Sequence, residues 1–186
     1  MIITKEFLKQ HNACEDGYKY WVKCNLPDLG KFMLKCAEDQ NYFWAYWLFT
    51  RAMGKEASVK VAIFSAELVL PIFENRFPED KRPRHAIEAA KNWLVLQNEE
   101  ASNEARAARD AAAYDYTAAA YAAAAADYAA AAARSAARSA GDAYDYTASC
   151  YSAVRSAVDA SVYAFASYND TQNEIINYAV SLIEGR

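Results

Sequence analysis

Residues 101–140 read ASNEARAARDAAAYDYTAAAYAAAAADYAAAAARSAARSA, and 23 of these 40 residues are alanine. Alanine is the strongest helix former, and no glycine or proline interrupts the chain between Arg84 and Ala140. A single helix through residues 98–140 would extend about 60 Å at 1.5 Å per residue, so we expect a break within it. Because a methyl group buries little apolar area, the tract predicts helices that gain stability by approaching one another closely.

A second stretch, residues 39–53, carries a broad apolar stripe. Tyr42, Tyr46 and Phe49 are three or four residues apart, which predicts a central core helix that ends at Gly54. Further apolar residues at helical spacing predict a second helix: Val59, Ile63, Ala66, Leu70 and Phe73. Near the C-terminus, Thr171 and Glu174 form a capping box that predicts the start of the last helix. The fold class is therefore all-α, a multi-helix bundle or helical array with a closely packed, Ala-rich C-terminal half.

Charge and composition change near Asn98. Residues 1–98 are rich in aromatic side chains and carry a net charge of +2, whereas residues 99–186 carry −6. We therefore expect a mixed-charge helical region over residues 1–98 and an Ala/Tyr-rich helical region over residues 99–186 that packs on it. One compact domain containing both regions is the alternative.

Several classes of protein are disfavoured by the same numbers. A net charge of −4 argues against wholesale binding of nucleic acid. The longest uncharged run of the Ala-rich tract, Tyr116 to Ala126, is too short to span a bilayer. The first residues, MIITKEFLKQH, place charges where a signal peptide needs apolar side chains, and the four cysteines lack a disulfide-scaffold pattern. The expectation is a cytoplasmic protein with reduced thiols and no membrane contact.

No catalytic motif stands out, and only two histidines are present. We expect a protein that is not an enzyme and has no cofactor or metal. The second region repeats a tyrosine-rich segment, since residues 114–118 and residues 144–148 both read YDYTA. Tyr114, Tyr121 and Tyr128 are seven residues apart and share a helix face, which suits either core packing or a binding surface. The single aspartates along these helices suit either solubility or contact with a basic partner.

A basic helix start is the other candidate. Arg82 and Arg84 flank Pro83, where backbone N–H groups and positive charge together could hold an anion. The candidate binding residues are these two arginines and the repeat residues: Arg82, Arg84, Tyr114, Asp115, Tyr116, Tyr121, Tyr128, Tyr144, Asp145, Tyr146 and Tyr151.

Three stretches resemble the Imm-5-like family of immunity proteins, small Ala-rich proteins of bacteria and phages. They are the opening, TKEFLK at residues 4–9 followed by NACEDG at residues 12–17, the central DKRPRHAIEAAK at residues 80–91, and the long Ala/Tyr/Asp/Arg tract after it. The resemblance implies an all-helical cytoplasmic protein that neutralises a toxin or effector by direct contact, or a phage protein that blocks a host defence protein. The alternative is a binder or sponge for an anionic nucleotide, with Arg82 and Arg84 at a cleft between the two regions.

Overall fold

The computed structural model describes residues 1–112, 135–138, 140–141, 146–163 and 167–185. Over these residues the fold is all-α, which confirms the predicted class. The named helices are α1 (Lys5–Gln10), α2 (Glu15–Cys24), α3 (Leu29–Glu38), α4 (Tyr42–Arg76), α5 (Arg82–Leu96), α6 (Glu99–Ala111), α7 (Tyr146–Tyr163) and α8 (Tyr168–Glu184). The short segments 135–138 and 140–141 are also helical.

Polar side chains cap the first turns of several helices. The Oδ1 of Asp28 accepts the N–H of Lys31 at 3.0 Å before α3, and the Oδ1 of Asn98 accepts the N–H of Ala101 at 2.8 Å before α6. The predicted start of the last helix at Thr171 is wrong, because α8 begins one turn earlier with Ser167 as its cap. Thr171 lies inside α8, where its hydroxyl donates to the Ser161 hydroxyl on α7 at 3.0 Å and does not cap the helix.

Gly54 divides α4 into two halves. Its backbone dihedrals are φ 73° and ψ −169°, a combination open almost exclusively to glycine. The predicted interruption at Gly54 is present, but the helix resumes directly after it and does not end there. The Ser58 hydroxyl donates to the Gly54 carbonyl oxygen at 2.7 Å. The second half then confirms the predicted helix through Phe73.

Helix α4 is the centre of the fold. It packs against α3, α5, α7 and α8, while α3 also contacts α8 and α5 pairs with α6. The core between them is filled by large side chains, and the largest that are fully buried include Tyr46, Phe49, Phe73, Leu29, Met33, Leu48, Ile175 and Ile176. Burial of this apolar area is the main stabilising contribution to the fold.

The Ala-rich region packs through small residues instead of large ones. Helix α6 ends at Ala111, so the predicted break between residues 98 and 140 is confirmed. Gly141 lies so close to α6 that an added Cβ would be 2.9 Å from the Arg106 Cγ and 3.3 Å from the Ser102 carbonyl oxygen. We call the contact of Gly141 with α6, together with the fully buried Ala105 and Ala140, the small-residue contact. The division of the chain at residue 98 stays a prediction.

Candidate binding cleft

A cleft of about 570 Å³ lies between the first half of α4, α7 and the start of α8. We call it the tyrosine cleft because four tyrosines line it. Its lining residues are Gln40, Asn41, Tyr42, Phe43, Trp44, Tyr46, Tyr151, Val154, Arg155, Val158, Asp159, Tyr168 and Gln172. The first six of these come from the predicted aromatic-rich region and the other seven from the Ala/Tyr-rich region.

Two buried tyrosines form the rigid floor of the cleft. The Tyr46 hydroxyl donates to the Gln172 Oε1 at 2.9 Å, and the Tyr42 hydroxyl donates to the Asn169 Oδ1 at 3.1 Å. Burial raises the pKa of both phenols above its ordinary value. These bonds join α4 to the start of α8 and hold the floor in place.

The rim of the cleft presents aromatic rings to solvent. Phe43 is 52% exposed and Tyr168 is 47% exposed, which are large fractions for such apolar side chains. Each belongs to an edge-to-face ring pair: Phe43 with Tyr151 at 5.4 Å between centroids, and Tyr42 with Tyr168 at 6.0 Å. A partner would therefore meet preformed aromatic walls.

One ion pair lies at the side of the cleft. The Arg155 Nε is 3.8 Å from the Asp159 Oδ2, a loose contact between residues one helical turn apart. Burial raises the pKa of Asp159, and the neighbouring Arg155 opposes that rise. The cleft thus holds one cation and one carboxylate that are only weakly engaged with each other.

A smaller groove of about 180 Å³ adjoins the cleft and shares Phe43, Tyr46 and Tyr151 with it. The Arg51 guanidinium lies over the Trp47 ring at 4.3 Å and donates to the Trp47 carbonyl oxygen at 3.2 Å. Burial lowers the pKa of Arg51. Cleft and groove together form a continuous strip of aromatic side chains and arginine.

The structure brings only part of the predicted set of binding residues to this strip. Tyr151 lines both cavities, and Tyr146 lies on the same helix near Arg51. Arg82 and Arg84 line neither the cleft nor the groove, and each forms an ion pair, with Asp80 and Glu74 respectively. The other candidates fall outside the described residues: Tyr114, Asp115, Tyr116, Tyr121, Tyr128, Tyr144 and Asp145.

The described part of the chain contains neither a metal-binding cluster nor a membrane-spanning helix. No group of three or more His, Cys, Asp or Glu side chains converges to hold a metal among the described residues. None of the described helices is long and apolar enough to cross a membrane. All four cysteines are unpaired, and burial raises the pKa of Cys36 and of Cys150 to about 12.

A comparison with known protein families identifies the family of this chain. A family model described as Imm-5 like putative immunity protein matches residues 50–176, which is more than half of the chain. The chain belongs to the Imm-5-like family. No curated protein and no solved structure matches it. The matched range contains the α7 and α8 walls of the cleft. The third wall, residues 40–46, lies before the matched range, so this Imm-5-like protein forms part of its cleft with residues that the family model does not cover.

Sequence reasoning missed most of the cleft. Tyr42 and Tyr46 were assigned to the core, which is correct for their burial, but Phe43 and Tyr168 carried no pattern of their own. A signal did exist on α7, because residues 151, 155 and 159 are spaced by four and therefore share one helix face. That spacing combines a tyrosine, an arginine and an aspartate on the wall of the cleft.

Proposed function

We propose that this Imm-5-like protein is a non-enzymatic binding protein that neutralises a toxin or a host-defence effector by direct protein–protein contact. Family membership supports an immunity role at the level of proteins. A cytoplasmic location, and the choice between bacterial immunity and phage counter-defence, belong to the same proposal. The partner in either case is a protein.

The observation that carries the proposal is the composition of the tyrosine cleft and its adjoining groove. Tyrosine, tryptophan and arginine dominate the binding free energy of protein interfaces, and here all three line one strip. Phe43 and Tyr168 expose their rings without covering one another, and the buried hydrogen bonds beneath them keep the strip rigid. A preformed aromatic surface loses little conformational entropy on binding.

Capture and rescue together test this function. Tagged protein would be used to capture partners from bacterial lysate, with and without phage infection, and the partner would be identified by mass spectrometry. The partner should bind in stoichiometric amount, inhibit growth or defence when produced alone, and lose that effect when the two proteins are produced together. A captured protein whose activity is unchanged by the complex would contradict the proposal.

Variants then connect the function to the cleft. The double substitution Phe43→Ala with Tyr151→Ala removes one ring pair and should abolish capture and rescue. Val95→Ala is the matched control, because Val95 is 81% exposed on α5 and lies outside the cleft. Both proteins should keep cooperative thermal unfolding, and equal capture by both would exclude the cleft as the interface.

A small-molecule binder is the second candidate, because the cleft has the volume of a typical ligand site. It lies between the two regions, as that alternative requires, but its cation is Arg155 instead of Arg82 or Arg84. Native mass spectrometry should then show a bound mass on the purified protein, and a nucleotide panel should raise the melting temperature. An unloaded mass together with no thermal shift would exclude this function.

A further inference from the structure

The aromatic walls of the tyrosine cleft have the geometry of a site for a cation. The Phe43 and Tyr151 rings meet at 89°, and the Tyr42 and Tyr168 rings meet at 70°. In an edge-to-face pair the ring that supplies the edge keeps both of its faces free of that contact, and the face of an aromatic ring carries the negative part of its quadrupole. Arginine and lysine side chains are attracted to such faces.

The protein already uses this interaction elsewhere. Arg51 lies over the Trp47 ring at 4.3 Å, and Lys55 lies over the Trp93 ring at 4.2 Å. Both contacts are made from α4, the helix that supplies one wall of the cleft. Cation–aromatic contact is therefore a recurrent packing mode around α4, and the cleft offers the same type of surface to a partner.

A carboxylate completes the site. Asp159 lines the cleft, and its one described ion-pair partner, Arg155, is held at 3.8 Å while 72% of the Arg155 side chain is exposed. A side chain held so loosely can turn into solvent at small cost, because exposed ion pairs of this kind contribute little. Asp159 would then pair with an incoming cation.

The charge around the cleft points the same way. On α7 and the first two turns of α8, three acidic residues, Asp159, Asp170 and Glu174, face one basic residue, Arg155, and a second basic residue, Arg51, lies in the adjoining groove. A basic segment would be attracted to this side of the molecule, whereas an acidic segment would be repelled.

We propose that the tyrosine cleft receives an arginine or lysine side chain from a basic segment of the partner protein, with the cation between the ring faces and against Asp159. The inference rests on the proposed function and names the chemistry of the partner at that same site. It assigns opposite roles to the two members of the ion pair: Asp159 attracts the incoming side chain, and Arg155 competes with it.

Peptide titrations test the proposal without knowledge of the partner. Three acetylated and amidated pentapeptides, Ala-Ala-Xaa-Ala-Ala with Xaa as Arg, Gln or Glu, would be titrated into the isotope-labelled full chain at low salt. The Arg peptide should bind saturably, with chemical-shift changes at Tyr42, Tyr151 and Tyr168. The Gln and Glu peptides should bind more weakly by about fivefold or more.

Two single substitutions that remove one charge each test which member of the ion pair attracts the peptide. Both side chains are partly exposed, so the fold should tolerate the substitutions. Asp159→Asn should weaken Arg-peptide binding by about fivefold, and Arg155→Gln should strengthen it by about twofold or more. Stronger binding of the Glu peptide, or weaker Arg-peptide binding in Arg155→Gln, would overturn the proposal in favour of an anion site. An absence of saturable Arg-peptide binding in both wild type and Arg155→Gln would overturn it as well.

The same variants separate this inference from the proposed function. If the captured partner binds Asp159→Asn and wild type equally but loses affinity for Phe43→Ala with Tyr151→Ala, the cleft is an interface and the cation proposal fails. If no captured protein is neutralised by the chain, the proposed function fails, whatever the peptides show.

Discussion

The core around α4 is filled by large side chains, whereas at the small-residue contact Gly141 lies against Ser102 and Arg106 of α6 and the neighbouring buried side chains are alanines. Phe49 and Phe73 are fully buried in the first, and Ala105 and Ala140 are fully buried in the second. In the α4 core, stability comes from apolar area removed from water. In the small-residue contact, stability comes from close approach, which leaves no room for a Cβ at Gly141.

The two regions should therefore respond to mutation in opposite ways. A core of large residues is damaged when a side chain is shortened, because a cavity is left behind. A contact between small residues is damaged when a side chain is lengthened, because the helices must move apart. The comparison is tested most directly by substitutions that reverse the side-chain size in each region.

The largest effect should come from Phe49→Ala. Phe49 is fully buried in the first half of α4, and its truncation should lower the free energy of unfolding by about 3–5 kcal/mol. Chemical denaturation followed by circular dichroism measures this. Val95→Ala is the control, with less than about 0.5 kcal/mol expected for an exposed site. A loss below 1 kcal/mol for Phe49→Ala would refute the assignment of this residue to a close-packed core.

The converse substitution, Ala105→Leu, should cost about 1–3 kcal/mol. Ala105 is fully buried on α6, so the added carbon atoms must displace a neighbouring helix. Ala107→Leu, on the exposed side of the same helix, is the matched control and should be close to neutral. If both alanines accept leucine equally in denaturation experiments, the small-residue contact is not close-packed.

Two buried serines, one on α7 and one on α4, should show a smaller difference in the free energy of unfolding. The buried Ser149 hydroxyl on α7 has no hydrogen-bond partner among the described residues, whereas the buried Ser65 hydroxyl on α4 donates to the Val61 carbonyl oxygen at 2.8 Å. Ser149→Ala should stabilise the protein by about 1 kcal/mol, since an unsatisfied polar group is removed. Ser65→Ala should be neutral or destabilise by up to about 1 kcal/mol. A loss of stability in Ser149→Ala would show that this hydroxyl has a partner in solution.

The smallest expected effect is a pH dependence of helix capping that is stronger in one of the two regions. The hydrogen bond from the Lys31 N–H lowers the pKa of Asp28, which caps α3 in the large-residue core. Because the folded-state pKa lies below the unfolded value, the cap stabilises above the unfolded pKa of about 4 and is lost as the pH falls through the folded value. Asn98, which caps α6, does not titrate.

Hydrogen exchange at the first turns of α3 and α6 measures this difference. After correction for the intrinsic rate, acid should reduce protection more in α3 than in α6, where the carboxylates of Glu99 and Glu100 in the first turn titrate but the Asn98 cap does not. Asp28→Asn should abolish the pH dependence while it keeps the cap. Equal acid sensitivity of both first turns would show that the loss is global rather than a property of the Asp28 carboxylate.

Local sequence was sufficient for the helices but not for all of their ends. The spacing of Tyr42, Tyr46 and Phe49 predicted a core helix correctly, because burial on one face imposes that period. The sequence also predicted an interruption of the helix at Gly54. It did not predict that the helix would resume after the interruption, because a glycine can either end a helix or kink it. At Thr171, the capping pattern competed with an equally good cap at Ser167, and the observed helix begins at the earlier one.

The sequence by itself determined that this protein is helical, that alanine would pack closely and that its second region is acidic, since these follow from propensity, side-chain volume and charge. The tyrosine cleft was decided by tertiary structure alone. The Tyr46 and Gln172 side chains that join across its floor are 126 residues apart. Such a pair leaves no local pattern, because hydrogen bonds between distant segments form only once the whole chain has packed.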